Sequence, residues 1–489
     1  MRPLVIVALL GLATPAPADL LYFARGGRAE LPADVDGESV RVQAPSATLT
    51  FRKSDFSSIV DRPTVAQEWP TRLEKARKGS PDDRFAAAWW ALENGLTPEA
   101  CTLIRAVHAE DPTHGAAARL AAMLDRIDRE LPLPADLDEI ETISGTRLQR
   151  ETGRIAVVFH QDQPALARRR LEVVERVAVT FLLVFTARGM ELAPPPHKLV
   201  SLWYADQNAY IAFLNRSDAG AFRSTQGYYH PTRGIVAGYD AAAGEAHLKA
   251  RSGLDLRRRE LDLLERTVDA LKPGMRASIR IADEPARIVD RARASTLLET
   301  ARRELARAEL MLELDQLSAD LGVTAHETVH QMVMSTGLAR DHETFPTWLN
   351  EGLATQFEAV RGGIWAGYGR LNDRRLPDFR SQLPGPRLAP LLRDDQLRRG
   401  YRRETYAQAW ALVHYLRVEH PDRFITLLDR LRIGRPAGSG TPGAEAVTAF
   451  RETIGELTDI EPAWHRHFRA ATTPLEEFAP DRNSPMNRR

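Results

Sequence analysis

Thr324-Ala325-His326-Glu327-Thr328-Val329-His330-Gln331 is the stretch on which the reading of the whole chain turns. Ala325, Val329, Met332 and Val333 recur at helical spacing and Gly337 stands where a helix would stop, so the segment predicts a helix with an apolar side toward the core. His326 and His330, four residues apart, then share one face. Two imidazoles so placed reach one zinc ion, and the glutamate between them is set to act on a water as general base. A structural zinc site closes its fourth position with a side chain, whereas a catalytic one has three protein donors and an open place. The chain therefore has to supply one more donor.

One solution needs glycine three residues past the second histidine and histidine six past it, but those places hold Val333 and Thr336. Another puts a glutamate on a following helix, and Pro346-Thr347-Trp348-Leu349-Asn350-Glu351-Gly352-Leu353-Ala354 offers Glu351. Pro346 suits the first turn of that helix, and Gly352 would let it lie close against the histidine helix.

These segments, with twenty residues between His330 and Glu351, resemble the gluzincin zinc peptidases, notably the aminopeptidase N family and the bacterial peptidase-MA-like proteins. The resemblance to the second group covers roughly Gly153 to His467, including Lys198 to Tyr204, Gly227-Tyr228-Tyr229 and the run from Tyr406 to Leu416. It implies an α+β, zincin-like (thermolysin-like) catalytic domain with a mixed sheet. It also implies a single Zn²⁺ held by His326, His330 and Glu351, with Glu327 as base and Glu358 as the acid that orients a ligand histidine. Two helical turns separate Glu358 from Glu351, which puts both on one face, and metal-bound histidines usually give their second N–H to such a group. Tyr406 occupies the place of the catalytic tyrosine of the aminopeptidase N family and is the first candidate to donate to the oxyanion; Tyr401 and His414 follow. No Gly-x-Met-Glu-Asn segment, by which that family captures a free N-terminus, is present, so the implied activity is endopeptidase rather than aminopeptidase.

The rest of the 489 residues organises around this centre. Arg2, an apolar run from Leu4 to Ala13 and Ala16-Pro17-Ala18 match a secretory signal cleaved after residue 18, and ten apolar residues are too few to span a bilayer. The expected location is periplasmic or secreted. Alternating stretches over 19–62 predict a small β unit, and Ala-rich amphipathic segments over 63–131 predict tetratricopeptide-like helical hairpins, a candidate surface for a protein partner. Strands and helices alternate over 132–245 as the α+β half of the peptidase domain. There, Gly234 to Tyr239 is either an edge strand that could pair with an extended peptide or an internal one. Leucines spaced by three, four and seven over 246–320 predict an inserted antiparallel helical arm. A helical half with the metal site follows over 321–478, and a disordered tail over 479–489.

Acidic and basic residues balance at 66 each, which excludes a global field for nucleic acid. Cys101 is the only cysteine, so no intramolecular disulfide can form. The expected partner is a peptide or protein substrate. The competing reading is a partner-binding scaffold with a vestigial metal domain, and Glu327 argues against it, since a vestigial site has no need of a base.

Overall fold

The computed structural model describes residues 18–161, 163–280, 286–395, 402–432 and 442–480. The expected signal segment, apart from Ala18, most of the tail and Tyr401 lie outside the described residues. The architecture is α+β, and among the described residues no helix is long and apolar enough to cross a membrane.

Strands β1 (Ala18–Phe23), β2 (Arg28–Asp36), β3 (Ser39–Gln43), β4 (Thr48–Arg52) and β5 (Phe56–Val60) form an antiparallel sheet ordered β4-β3-β2-β1-β5. Period-two alternation sends Leu21, Phe23, Val40, Val42 and Phe51 to one face, where they are buried together with Leu310 of a later helix. Helices α1 (Val65–Arg77), α2 (Pro81–Glu93), α3 (Thr97–Glu110) and α4 (Gly115–Ile127) follow. Thr64 and Ser80 cap the first two through reciprocal bonds with Gln67 and Asp83. The α2–α3 hairpin and α4 close their apolar faces onto one another and onto the helix layer of the second sheet.

After α5 (Leu137–Ser144) come β6 (Gln149–Thr152), β7 (Ala156–His160), α6 (Pro164–Ala187), β8 (Leu199–Tyr204), α7 (Gln207–Arg216), β9 (Gly227–His230) and β10 (Ile235–Tyr239). Their mixed sheet runs β6-β7-β8-β10-β9, with β7, β8 and β10 parallel and the outer strands antiparallel. Every residue of the three parallel strands is buried, as their near-continuous apolar runs require. The stretch Gly234–Tyr239 is therefore internal, because β9 folds back outside it; β9 is the edge strand.

Helix α8 (Glu245–Ala270), a short hairpin of β11 (Arg276–Ile279) and β12 (Arg287–Asp290), and the 45-residue α9 (Arg291–Ser335) come next. Leu264, Val268, Leu271, Leu298 and Ala301 lie along the seam between α8 and the start of α9, and most of them share a small core with the hairpin. No residue breaks α9 at 320 or 321, so the arm and the His-Glu-x-x-His segment share one rigid helix.

The remaining elements are α10 (Thr347–Thr355), β13 (Val360–Arg361), β14 (Ile364–Trp365), α11 (Arg375–Arg380), α12 (Leu388–Leu392), α13 (Arg403–Glu419), α14 (Pro421–Arg432), α15 (Pro442–Thr453), α16 (Leu457–Ala470) and α17 (Pro474–Glu477). They build the main core with α6 and the end of α9 around Phe181, Trp348, Trp410 and Trp464. The close approach that Gly352 permits is to α13, not to the histidine helix. A Cβ there would stand 2.3 Å from Val413 Cγ2 and 2.8 Å from the Ala409 carbonyl oxygen. Gly352→Ala should therefore lower unfolding free energy by about 1–3 kcal/mol, the usual cost of overpacking. Chemical denaturation of the two proteins side by side measures this, and an unchanged midpoint would show that α10 and α13 can part without penalty.

Candidate metal centre

Residues 324–333 lie in the buried last third of α9, and the four-residue spacing puts both imidazoles on the side facing α10. The His326 and His330 rings stand nearly perpendicular with centroids 4.6 Å apart, and their Nε2 atoms are 3.0 Å from each other. Glu351, in the middle of α10, places Oε2 3.1 Å from His326 Nε2 and 3.5 Å from His330 Nε2. Each of the three is 6–7 % exposed. The start of α10 is pinned by Asp394, whose carboxylate accepts the Thr347 and Trp348 N–H groups at 2.9 and 2.8 Å. Pro346 caps that helix from just outside its first turn.

A carboxylate fixes how His326 is presented. Glu358 Oε1 lies 2.8 Å from His326 Nδ1, and Arg375 grips the same carboxylate with two N–H donors, each at 2.8 Å. Asn372 adds a weaker bond at 3.3 Å. Burial opposes the charge on Glu358, but Arg375 and then His326 outweigh it and hold the pKa at about 2. An ionised Glu358 can only accept, so His326 Nδ1 carries a proton, and in the neutral ring it is Nε2 that presents the lone pair.

Two Nε2 atoms at 3.0 Å, with a carboxylate oxygen beside both, repel one another unless a cation sits among them. Glu351 Oε2 is buried and has no hydrogen-bond partner. Burial also opposes charge on Glu351 and His326. Even so, the histidines hold Glu351 well below the ordinary carboxylate range, and the Glu351 and Glu358 carboxylates push His326 up to about 10. Without another cation the cluster recruits a proton, and a metal ion would compete for the same place. Donors around a tetrahedral zinc ion stand about 3.3 Å apart, so the 3.0–3.5 Å separations need little adjustment. His326, His330 and Glu351 thus form a buried group that could hold a metal ion.

Glu327 is buried on the same turn, with its side chain against β9. A Cβ on Gly227 would come within 3.0 Å of Glu327 Cγ, so only glycine lets the edge strand pass this close. Burial, the largest influence, raises the pKa of Glu327; His326 and His330 lower it, Glu351 raises it, and the backbone of Tyr229 lowers it. Tyr406 is half-buried in the first turn of α13. Its ring meets His326 edge-on at 5.8 Å, and the Arg375 guanidinium lies 5.1 Å from its centre.

His414 is placed elsewhere, packed on Trp410 and Phe468 at 5.4 and 5.7 Å, and burial lowers its pKa well below the usual histidine value. Glu343, a second acid near α10, is exposed.

Several contributors carry no sequence signal. Arg375 and Asn372 follow Glu358 at irregular spacing, and Asp394 reaches α10 from more than forty residues away. Another is the wholly buried Arg170–Asp320 ion pair at 3.0 Å. Asp320, near the metal end of α9, also accepts Ala241 N–H and Gln226 Nε2, which ties that helix to the sheet beside β9.

No curated protein and no solved structure matches the chain. A family model described as "Protein of unknown function (DUF1570)" matches residues 320–437, the stretch that contains His326, Glu327, His330, Glu351, Glu358, Arg375 and Tyr406.

Proposed function

We propose that the chain is an exported zinc-dependent endopeptidase of the gluzincin type, with a zincin-like catalytic unit built around α9, α10 and the mixed sheet. One observation carries the reading: three buried donors, two histidines and one acid, converge at 3.0–3.5 Å while a second buried acid, Glu327, stands on the same helix turn and outside the donor set. A site meant only to bind metal has no use for that second acid. His326, His330 and Glu351 would hold the zinc, and Glu358 with Arg375 would keep His326 in the tautomer that offers Nε2.

Zinc in this place supplies Lewis acidity, lowering the pKa of water toward about 7 and polarising a carbonyl. Glu327 takes the proton on its carboxylate and returns it to the departing amine, a task suited to an acid whose protonated form burial favours. The β9 edge, passing directly over Glu327, aligns an extended peptide by backbone pairing, so the chain on both sides of the scissile bond can be held. The Tyr406 hydroxyl donates to the oxygen that becomes negative as the peptide carbonyl is attacked.

The test is cleavage of a broad peptide library, suppressed by a zinc chelator and restored by added zinc. Absence of cleavage by zinc-loaded protein would leave a binding role in its place. In the same assay Tyr406→Phe should lower turnover about 100- to 1,000-fold with substrate affinity, zinc content and melting temperature near wild type. Turnover within about threefold of wild type would pass the donor role to another group.

A further inference from the structure

A second feature lies apart from the metal group. A cleft of about 680 Å³ opens where the first sheet, the α2–α3 connection, α6 and the β13–β14 hairpin meet. Its volume is that of a small-molecule site, and its wall is mostly apolar, with Leu31, Pro45, Val65, Leu96 and Val173 contributing. Ile364, at the tip of the β13–β14 hairpin, also lines it and is 64 % exposed, so its side chain is open to whatever enters the cleft. The turn before it, Gly362-Gly363, has both φ positive and seats the hairpin against β2.

Two charges of opposite sign stand on this wall without partners. Arg370 is half-buried and makes no hydrogen bond or ion pair among the described residues, although burial and the neighbouring Arg361 both disfavour its charge. Glu30, from β2, has Oε2 buried with no hydrogen-bond partner. The two are beyond ion-pair reach of each other, yet Glu93 and then Glu30 favour the charge on Arg370. The remaining charged residues of the wall are paired or outside: Arg176 with Glu172, Arg361 with Asp373, and Arg169 exposed. A half-buried acid with an unpartnered buried oxygen, on the same wall as an unpaired half-buried guanidinium, is costly unless a ligand satisfies both.

We propose that this cleft binds the zwitterionic head of an α-amino acid with a bulky apolar side chain. Glu30 takes the ammonium, Arg370 takes the carboxylate and the Ile364 wall takes the side chain. An α-amino acid carries its two charges on adjacent carbons, so one molecule can meet an acid and a guanidinium that line the same cleft without pairing with each other. The site is separate from the proposed peptidase centre and does not depend on it.

Calorimetric titration of the full chain with L-phenylalanine, phenethylamine and 3-phenylpropanoate tests this, since each of the last two lacks one charge. Phenylalanine should bind wild type about 10- to 100-fold more tightly than either analogue, the usual value of a charged hydrogen-bonded contact. Arg370→Gln should bind phenylalanine no better than phenethylamine, and Glu30→Gln no better than 3-phenylpropanoate. Ile364→Asp, at an exposed position that the fold does not need, should lose phenylalanine and so covers the case in which the charge variants fail to fold. Phenylalanine should still bind His330→Ala, which separates binding in the cleft from chelation of zinc by the free amino acid. Equal binding of 3-phenylpropanoate and phenylalanine, loss of binding in His330→Ala, or no binding to wild type would each overturn the assignment.

Discussion

Glu327→Gln should yield a protein that folds, binds zinc and does not cleave peptide. The side chain lies outside the donor set, and glutamine keeps its volume against the β9 backbone at Gly227. What the substitution removes is the ability to accept a proton, which typically contributes about 100- to 10,000-fold to rate. Burial of Glu327 makes this a clean comparison, since a neutral amide is tolerated in that setting at least as well as a carboxylate. Zinc content and melting temperature should therefore stay near wild type while hydrolysis falls to background. Cleavage at the wild-type rate would remove Glu327 from the chemistry, and loss of zinc would make it a ligand.

Removing a donor should have the opposite signature. His326→Ala, His330→Ala and Glu351→Ala each leave two of the three groups, too few for a stoichiometric site with an open position. The fall in zinc affinity should exceed the roughly 10- to 100-fold expected for losing an outer partner such as Glu358. Stability reports the same event. At free zinc 100 times the dissociation constant, a bound metal stabilises the wild-type fold by about 2.7 kcal/mol, and that increment should vanish in each variant. Full zinc retention by Glu351→Ala would move the third donor elsewhere, and the exposure of Glu343 makes it a poor substitute.

The parts of this site that could be read from the sequence are those whose geometry is local. The four-residue spacing of His326 and His330 fixes a shared helix face whatever surrounds it, and Glu351 is presented by a nine-residue helix that begins just after a proline. What could not be read depends on distant returns of the chain. Arg375 meets Glu358 through an irregular loop, and Asp394 caps α10 from across a core. The pattern from Gly234 to Tyr239 suits an edge strand or an internal one, so only pairing order shows that β10 is enclosed and β9 lies outside it. Gly352 signalled a close helix contact correctly, but glycine does not say with which helix, and α13 is the neighbour. The continuity of α9 was hidden for a different reason. Its arm half buries a narrow seam and its metal half is buried nearly all round, so the apolar pattern changes although no residue breaks the helix.

The measurement closest to the central claim is the zinc content of the wild-type chain after zinc-replete purification and removal of loosely bound metal. Three converging buried donors predict about one equivalent per chain, retained through desalting and lost to a strong chelator. Less than about half an equivalent on folded protein would contradict the account, because a group with this geometry should not stay without metal when zinc is in supply.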